Sequence, residues 1–127
     1  MARNQFKIGG VVSSGWRVAN RVDYETLRSY AGGILVAGGK LKEAGLAHWL
    51  TPNTGADNGT GFTALPSGYR YITGGFFVIN ERCNLWTPIE WNATAGYGEV
   101  LYYNGAPFEE YAYEKRHGFS IRMVRDL

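Results

Sequence analysis

Residues 47–70, AHWLTPNTGADNGTGFTALPSGYR, restrict what this chain can fold into more than any other stretch. Pro52 and Pro66 lack a backbone donor, and Asn53, Asp57, Asn58 and the interspersed glycines are turn formers, so no helix or strand ladder can run through the segment. A structureless segment of this length is uncommon inside a compact domain. It must be pinned by its own anchors, and Trp49, Phe62, Leu65 and Tyr69 are the candidates. Regular structure is then confined to short elements on either side.

Before this segment the pattern is helical. Asn20 is an N-cap with Asp23 in the first turn; Tyr24, Leu27 and Ala31 follow at helical spacing, and Gly32 with Gly33 stops the run. A second, shorter helix is predicted over residues 37–44, with Leu41 facing inward and Gly45 as terminator. Residues 6–12 (FKIGGVV) read as a short strand broken by Gly9 and Gly10, and residues 16–18 as a buried anchor. After the segment the pattern is that of strands: residues 75–79, 84–87, 100–103, 108–113 and 119–124. In the last of these Phe119, Ile121 and Met123 alternate with Ser120, Arg122 and Val124, the period of a half-buried strand. Helices in the first half and strands in the second predict an α+β fold with a mostly antiparallel sheet and long ordered loops, as a single domain over residues 1–127. Core or loop-anchoring roles fall to Trp16, Leu27, Trp49, Phe62, Leu65, Trp86, Phe119, Ile121 and Val124.

Charge and composition exclude several kinds of chemistry. A formal net charge of +2, with the pair Lys115 and Arg116 as the densest basic cluster, gives no footprint for nucleic acid. Cys83 is the one cysteine, so neither an intrachain disulfide nor a thiolate metal site is expected. His48 and His117 are too far apart in sequence to suggest a histidine site, and neither metal nor cofactor is expected. Adjacent Glu109 and Glu110 face opposite ways on a strand, which argues against an acid–base pair. The opening MARNQFKIGG lacks the apolar run of an export signal, and no stretch reaches membrane-spanning length, so membrane insertion is not expected.

Between residues 97 and 113 lie Tyr97, Tyr102, Tyr103, Phe108, Tyr111 and Tyr113, mixed with Glu99, Glu109 and Glu110. Such a mixture suits a recognition surface, since tyrosine offers a rigid contact area with one hydrogen-bonding tip. The competing reading is that about half of these rings are sheet residues packing across strands.

Residues 15–27 (GWRVANRVDYETL), 38–70 (GGKLKEAGLAHWLTPNTGADNGTGFTALPSGYR), 85–91 (LWTPIEW) and 118–127 (GFSIRMVRDL) resemble the Fibrobacter succinogenes major paralogous domain, a family seen chiefly in Bacteroidetes-type bacteria and their phages. The resemblance implies a C-type-lectin-like fold. It also implies kinship with proteins diversified by retroelements, in which a reverse transcriptase rewrites adenine-containing codons near the 3′ end of the gene. On that reading the chain is a ligand-binding module for receptor recognition or adhesion, with no enzymatic activity. The alternative is a non-diversified structural or adhesin domain of a surface appendage or phage tail. The expected partner is a macromolecule, a protein or glycan on a cell surface; a homo-oligomer is compatible with this reading, and the location implied is a cell surface or phage tail. The calcium-lectin tripeptides are incomplete: Trp91, Asn92 and Ala93 lack the closing Asp, so any binding is expected to be calcium-independent. Enzymes related to this fold that generate formylglycine need paired cysteines, which Cys83 alone cannot supply.

The chain also departs from the family pattern. Ser13 and Met123 stand where relatives often carry cysteines. The usual Trp-Met-Ala-Glu-Asn-Leu opening is missing, so the first strand is rebuilt from residues 6–12 or supplied by a neighbour. In place of Asn/Tyr/Ser-rich strings the chain has Tyr71, Val78, Glu81, Arg82, Tyr97, Glu99, Glu109, Glu110, Tyr111, Tyr113, Glu114, Arg116 and His117, the expected ligand-binding set. Gly98, Val100 and Ala112 are further positions expected to vary.

Overall fold

Residues 16–18 and 123–125 meet in one ribbon. The computed structural model describes residues 7–8, 11–12 and 15–126. Strands β1 (Lys7–Ile8) and β2 (Val11–Val12) pair with each other, so the stretch read as one interrupted strand is a hairpin in its described residues. Strand β3 (Trp16–Val18) pairs antiparallel with the last strand, β9 (Met123–Arg125). Arg17 fastens this ribbon to the first helix by donating to both Asp23 and Asp126.

Helix α1 (Arg21–Tyr30) forms where its cap predicts. The Asn20 side chain accepts from the Asp23 N–H at 3.0 Å while the Asp23 carboxylate accepts from the Asn20 N–H at 2.8 Å, a reciprocal capping box. Helix α2 (Ala37–Leu41) is shorter than predicted, because Lys42 leaves the helix in an extended conformation. The Lys42 ammonium donates to the carbonyls of Thr54, Tyr102 and Gly105 at 2.8–3.0 Å and is wholly buried. Three carbonyls satisfy its three donors, which is how a buried charge is tolerated. Gly38 lets α2 sit directly on the turn before the final long strand: a Cβ there would lie 2.3 Å from the Pro107 carbonyl oxygen.

The long segment is pinned largely as expected. Trp49 is buried, with Nε1 donating to the Ala64 carbonyl at 3.0 Å. Asn53 holds a positive φ and donates from Nδ2 to the carbonyls of Glu43 and Gly45. Phe62 is half-buried beneath the Arg122 guanidinium, 3.8 Å from the ring centre. Leu65 is exposed, so it is not one of the anchors, and Lys42 is an anchor that the apolar pattern did not signal.

Strands β4 (Tyr69–Arg70) and β5 (Phe76–Phe77) form a small hairpin. The main sheet follows as an antiparallel meander in the order β6 (Arg82–Glu90), β7 (Ala95–Tyr102), β8 (Phe108–Glu114). Register is continuous except for a shift in β6 between Trp86 and Glu90, around Pro88, which has no N–H to donate to a ladder. Beyond β8 the chain returns along β6, where Ser120 bridges Leu85 and exchanges backbone hydrogen bonds with Asn84 and Trp86. The regular strand expected over residues 119–124 is therefore an irregular crossing that becomes β9 only at Met123. Trp16 and Ile121, read as core, are 42% and 39% exposed. The core proper joins Ala19, Tyr24, Ala31, Leu41, Trp49, Leu85, Leu101 and Phe108 between α1, α2 and the inner side of the sheet. Two helices with small antiparallel sheets make this a mixed α+β fold.

Candidate functional site

Side chains on a strand alternate between its faces, and residues directly opposite in a ladder share a face. The registers Glu99↔Glu110, Tyr97↔Ala112 and Leu101↔Phe108 therefore put Leu85, Tyr97, Glu99, Leu101, Phe108, Glu110 and Ala112 on one face. Asn84, Trp86, Gly98, Val100, Glu109, Tyr111 and Tyr113 lie on the other.

The inner face meets α1. Glu99 is fully buried and accepts from Arg28 Nη2 at 2.5 Å; Arg28 also donates to Glu25 and to the Phe108 carbonyl. Glu110 takes a two-pronged contact from Arg21, at 2.9 and 2.7 Å, and the same guanidinium lies 3.6 Å from the centre of the Tyr97 ring. Tyr97, Glu99 and Glu110, expected to reach a ligand, instead hold the helix to the sheet. The physical reason is the period of two: three of the candidate positions in β7 and β8 fall on the covered side.

The outer face carries a continuous layer of rings. Phe119 stacks on Trp86 with centres 4.3 Å apart, and Tyr113 packs edge-on against Phe119 at 4.9 Å. Tyr111 extends the layer from Tyr113 at 6.2 Å. On the other side His117 lies 5.5 Å from Phe119, 5.7 Å from Tyr69 and 5.3 Å from Tyr71, and Tyr71 meets Phe77 at 6.1 Å. Gly98 makes this possible. A Cβ at that position would come within 2.9 Å of the Tyr113 ring and 3.1 Å of the Phe119 ring, so glycine lets both rings approach the strand this closely. The layer also seals Val100 and Asn84 beneath it.

Polar groups border the rings. The Tyr111 hydroxyl donates to Glu109 at 3.0 Å, and that bond raises its pKa above the ordinary phenol value. Burial does the same for Tyr113. Both hydroxyls therefore stay protonated near neutral pH and can donate. Arg82 lies over Tyr102, and Arg116 pairs with Glu114 at 2.8 Å beyond the end of β8. Of the expected set, Tyr71, Arg82, Glu109, Tyr111, Tyr113 and His117 come together here. Glu114 and Arg116 lie exposed at the rim, and Glu81 is half-buried beside β6.

Val78 occupies the turn between β5 and β6 with φ of +54°, a left-handed conformation that a β-branched residue rarely adopts. Its carbonyl accepts from the amides of Glu81 and Arg82, both at 3.1 Å, which holds it there. Beside it Phe76, Phe77 and Ile79 are 81%, 52% and 69% exposed. These three, with Trp86, Phe119 and Tyr69, belong to the surface or its foundation although the sequence pattern did not single them out as such. The run Phe76-Phe77 directly after Gly74-Gly75, with no polar alternation, was the available signal for an apolar tip.

The remaining concavities lie elsewhere. A cleft of about 390 Å³ lined by Trp86, Thr87, Pro88, Ile89, Glu90 and Lys115 borders the ring layer, and an apolar one of about 390 Å³ lies between α1, Phe62 and Val124. Among the described residues no group of three His, Cys, Asp or Glu side chains is placed to hold a metal. Burial pushes the Cys83 thiol up to about 12, so it stays a thiol. No helix among the described residues is long and apolar enough to cross a membrane.

The sequence profile of the Fibrobacter succinogenes major domain matches residues 7–125. The chain belongs to that family. No curated protein and no solved structure matches it. In this member of the Fibrobacter succinogenes major domain family Met123 pairs with Val18 in the closing ribbon. Ser13, the other position where relatives often carry cysteine, lies outside the described residues, as does Phe6.

Proposed function

We propose that this domain is a non-enzymatic binding module, built on a C-type-lectin-like scaffold, that grips a macromolecular ligand with the outer face of its three-stranded sheet. The observation that carries the reading is the unbroken ring layer from Phe77 through Tyr71, His117, Phe119 and Tyr113 to Tyr111, opposite a face committed to holding α1. Aromatic anchors dominate binding energy at macromolecular contacts, and Phe77 and Tyr111 are exposed at the two ends of the layer, with Tyr71 partly exposed beside Phe77. The ligand is a protein or glycan of a cell surface, bound without calcium. In the retroelement reading, variation is confined to this face.

Two experiments test the proposal. A display library randomised at Tyr71, Glu109, Tyr111 and Tyr113 is selected against hen lysozyme as an arbitrary protein target. Folded binders are expected; a library yielding only misfolded clones would show that these positions are scaffold. Sequencing the gene in sister isolates tests diversification. Adenine-linked substitutions should concentrate at 71, 82, 109, 111, 113 and 117 and spare 97, 99 and 110, and an even spread over both sets would end the retroelement reading.

A further inference from the structure

The inner face holds two carboxyl groups that face each other across a ladder, Glu99 on β7 and Glu110 on β8. Like charges directly opposite in a sheet repel. One Glu99 oxygen accepts from Arg28, but the other, Oε2, is buried with no donor. A buried carboxylate oxygen left without a donor is costly. Glu110 meanwhile directs both oxygens at the Arg21 guanidinium, and each oxygen keeps a spare lone pair.

We infer that Glu99 and Glu110 share one proton, with the Glu99 carboxylic acid donating from Oε2 to the Glu110 carboxylate, and that this acid–carboxylate pair is a pH-sensitive catch holding α1 beneath the sheet. Ionising both would set two negative charges opposite each other on β7 and β8 while Arg28 divides its donors among Glu99, Glu25 and the Phe108 carbonyl. The other titratable groups near Glu99 do not supply the missing donor. Tyr97, on the same face two residues away, lies under the Arg21 guanidinium. On α1, the Tyr24 hydroxyl is buried without any hydrogen-bond partner and so does not reach Glu99 Oε2, and Cys83 on β6 is held as a thiol. A cleft of about 380 Å³ lined by Glu25, Arg28, Ser29, Gly33, Ile34 and Glu110 opens beside the pair and gives the proton a way out.

The electrostatics point the same way. Burial, opposed by Arg28 and reinforced by Glu110, pushes Glu99 up to about 8 from an ordinary 4.5. For Glu110, burial acts upward but the hydrogen bonds from Arg21 and from Glu99 win, leaving it below its ordinary value. Between 4.5 and about 8 the folded chain therefore binds more protons at Glu99 than the unfolded chain does. The stability this group confers is fully present below that window and is lost as pH rises through it.

Infrared spectra of the domain carrying ¹³C-labelled glutamate test this directly. At about pH 6.5 a protonated-acid carbonyl band is expected, fading as the solution is taken to about pH 9, and absent at both pH values in Glu99→Gln. In thermal melts Glu99→Gln, which keeps both contacts without a titrating proton, should flatten the decline in melting temperature over the same range. Glu110→Gln should move the fading of the band to lower pH, because the negative neighbour is gone. Wild-type protein with no acid band at about pH 6.5 would overturn the inference, and this reading does not depend on whether either variant folds.

Discussion

The two faces of the β6–β7–β8 sheet are drawn from the same residue types and do opposite things. Tyr97, Glu99 and Glu110 on the inner face are bound by arginines of α1, whereas Tyr111, Tyr113 and Glu109 on the outer face contact one another and the rings from neighbouring loops. Tyrosine and glutamate content alone therefore does not set a residue's role. The role depends on whether α1 already supplies the side chain's partner.

The largest expected effect breaks the inner face. Arg28→Ala leaves a buried Glu99 oxygen and the Phe108 carbonyl without their charged donor and should destabilise the domain by about 3–5 kcal/mol, read from the urea unfolding midpoint. A loss no larger than that of a surface substitution would mean the pair is solvated. Next, Gly98→Ala thrusts a methyl into the Tyr113 and Phe119 rings and should cost about 1–3 kcal/mol, with a changed near-ultraviolet dichroism from the displaced Trp86 stack. Val78→Gly should act in the other direction, raising stability by about 1 kcal/mol or less, since glycine takes a positive φ without strain. Smallest of all, Tyr111→Ala at the open end of the ring layer should shift stability by about 0.5 kcal/mol or less.

Much of the frame was legible in the sequence. Asn20 and Asp23 announce α1 through side chains that bond only their own backbone neighbours, so no tertiary knowledge is needed. Strand β8, expected over residues 108–113, forms at Phe108–Glu114. Strand β7 is longer than its apolar pattern suggests, because Gly96 and Gly98 read as breakers while serving as clearance beneath Trp86 and Tyr113, and β6 runs on past Pro88 through its register shift. Lys42 was illegible: nothing local tells a buried ammonium from a solvated one, and its three carbonyls come from two distant stretches of chain. The site was half legible. Alternation says that Glu109 and Glu110 part company, but which of them faces α1 depends on register, and a slip of one residue exchanges the faces. Trp86 and Phe119 were read as core, and they are the floor of the ring layer, neither sealed inside nor free at the surface.

If the inner face is frame and the outer face is free to change, two triple variants should part in thermal unfolding: Tyr71→Ser, Glu109→Ser, Tyr111→Ser on the outer face, and Tyr97→Ser, Glu99→Ser, Glu110→Ser on the inner. A cooperative melt within a few degrees of wild type is expected for the first and loss of cooperative unfolding for the second. Equal losses, or a greater loss in the outer variant, would contradict it.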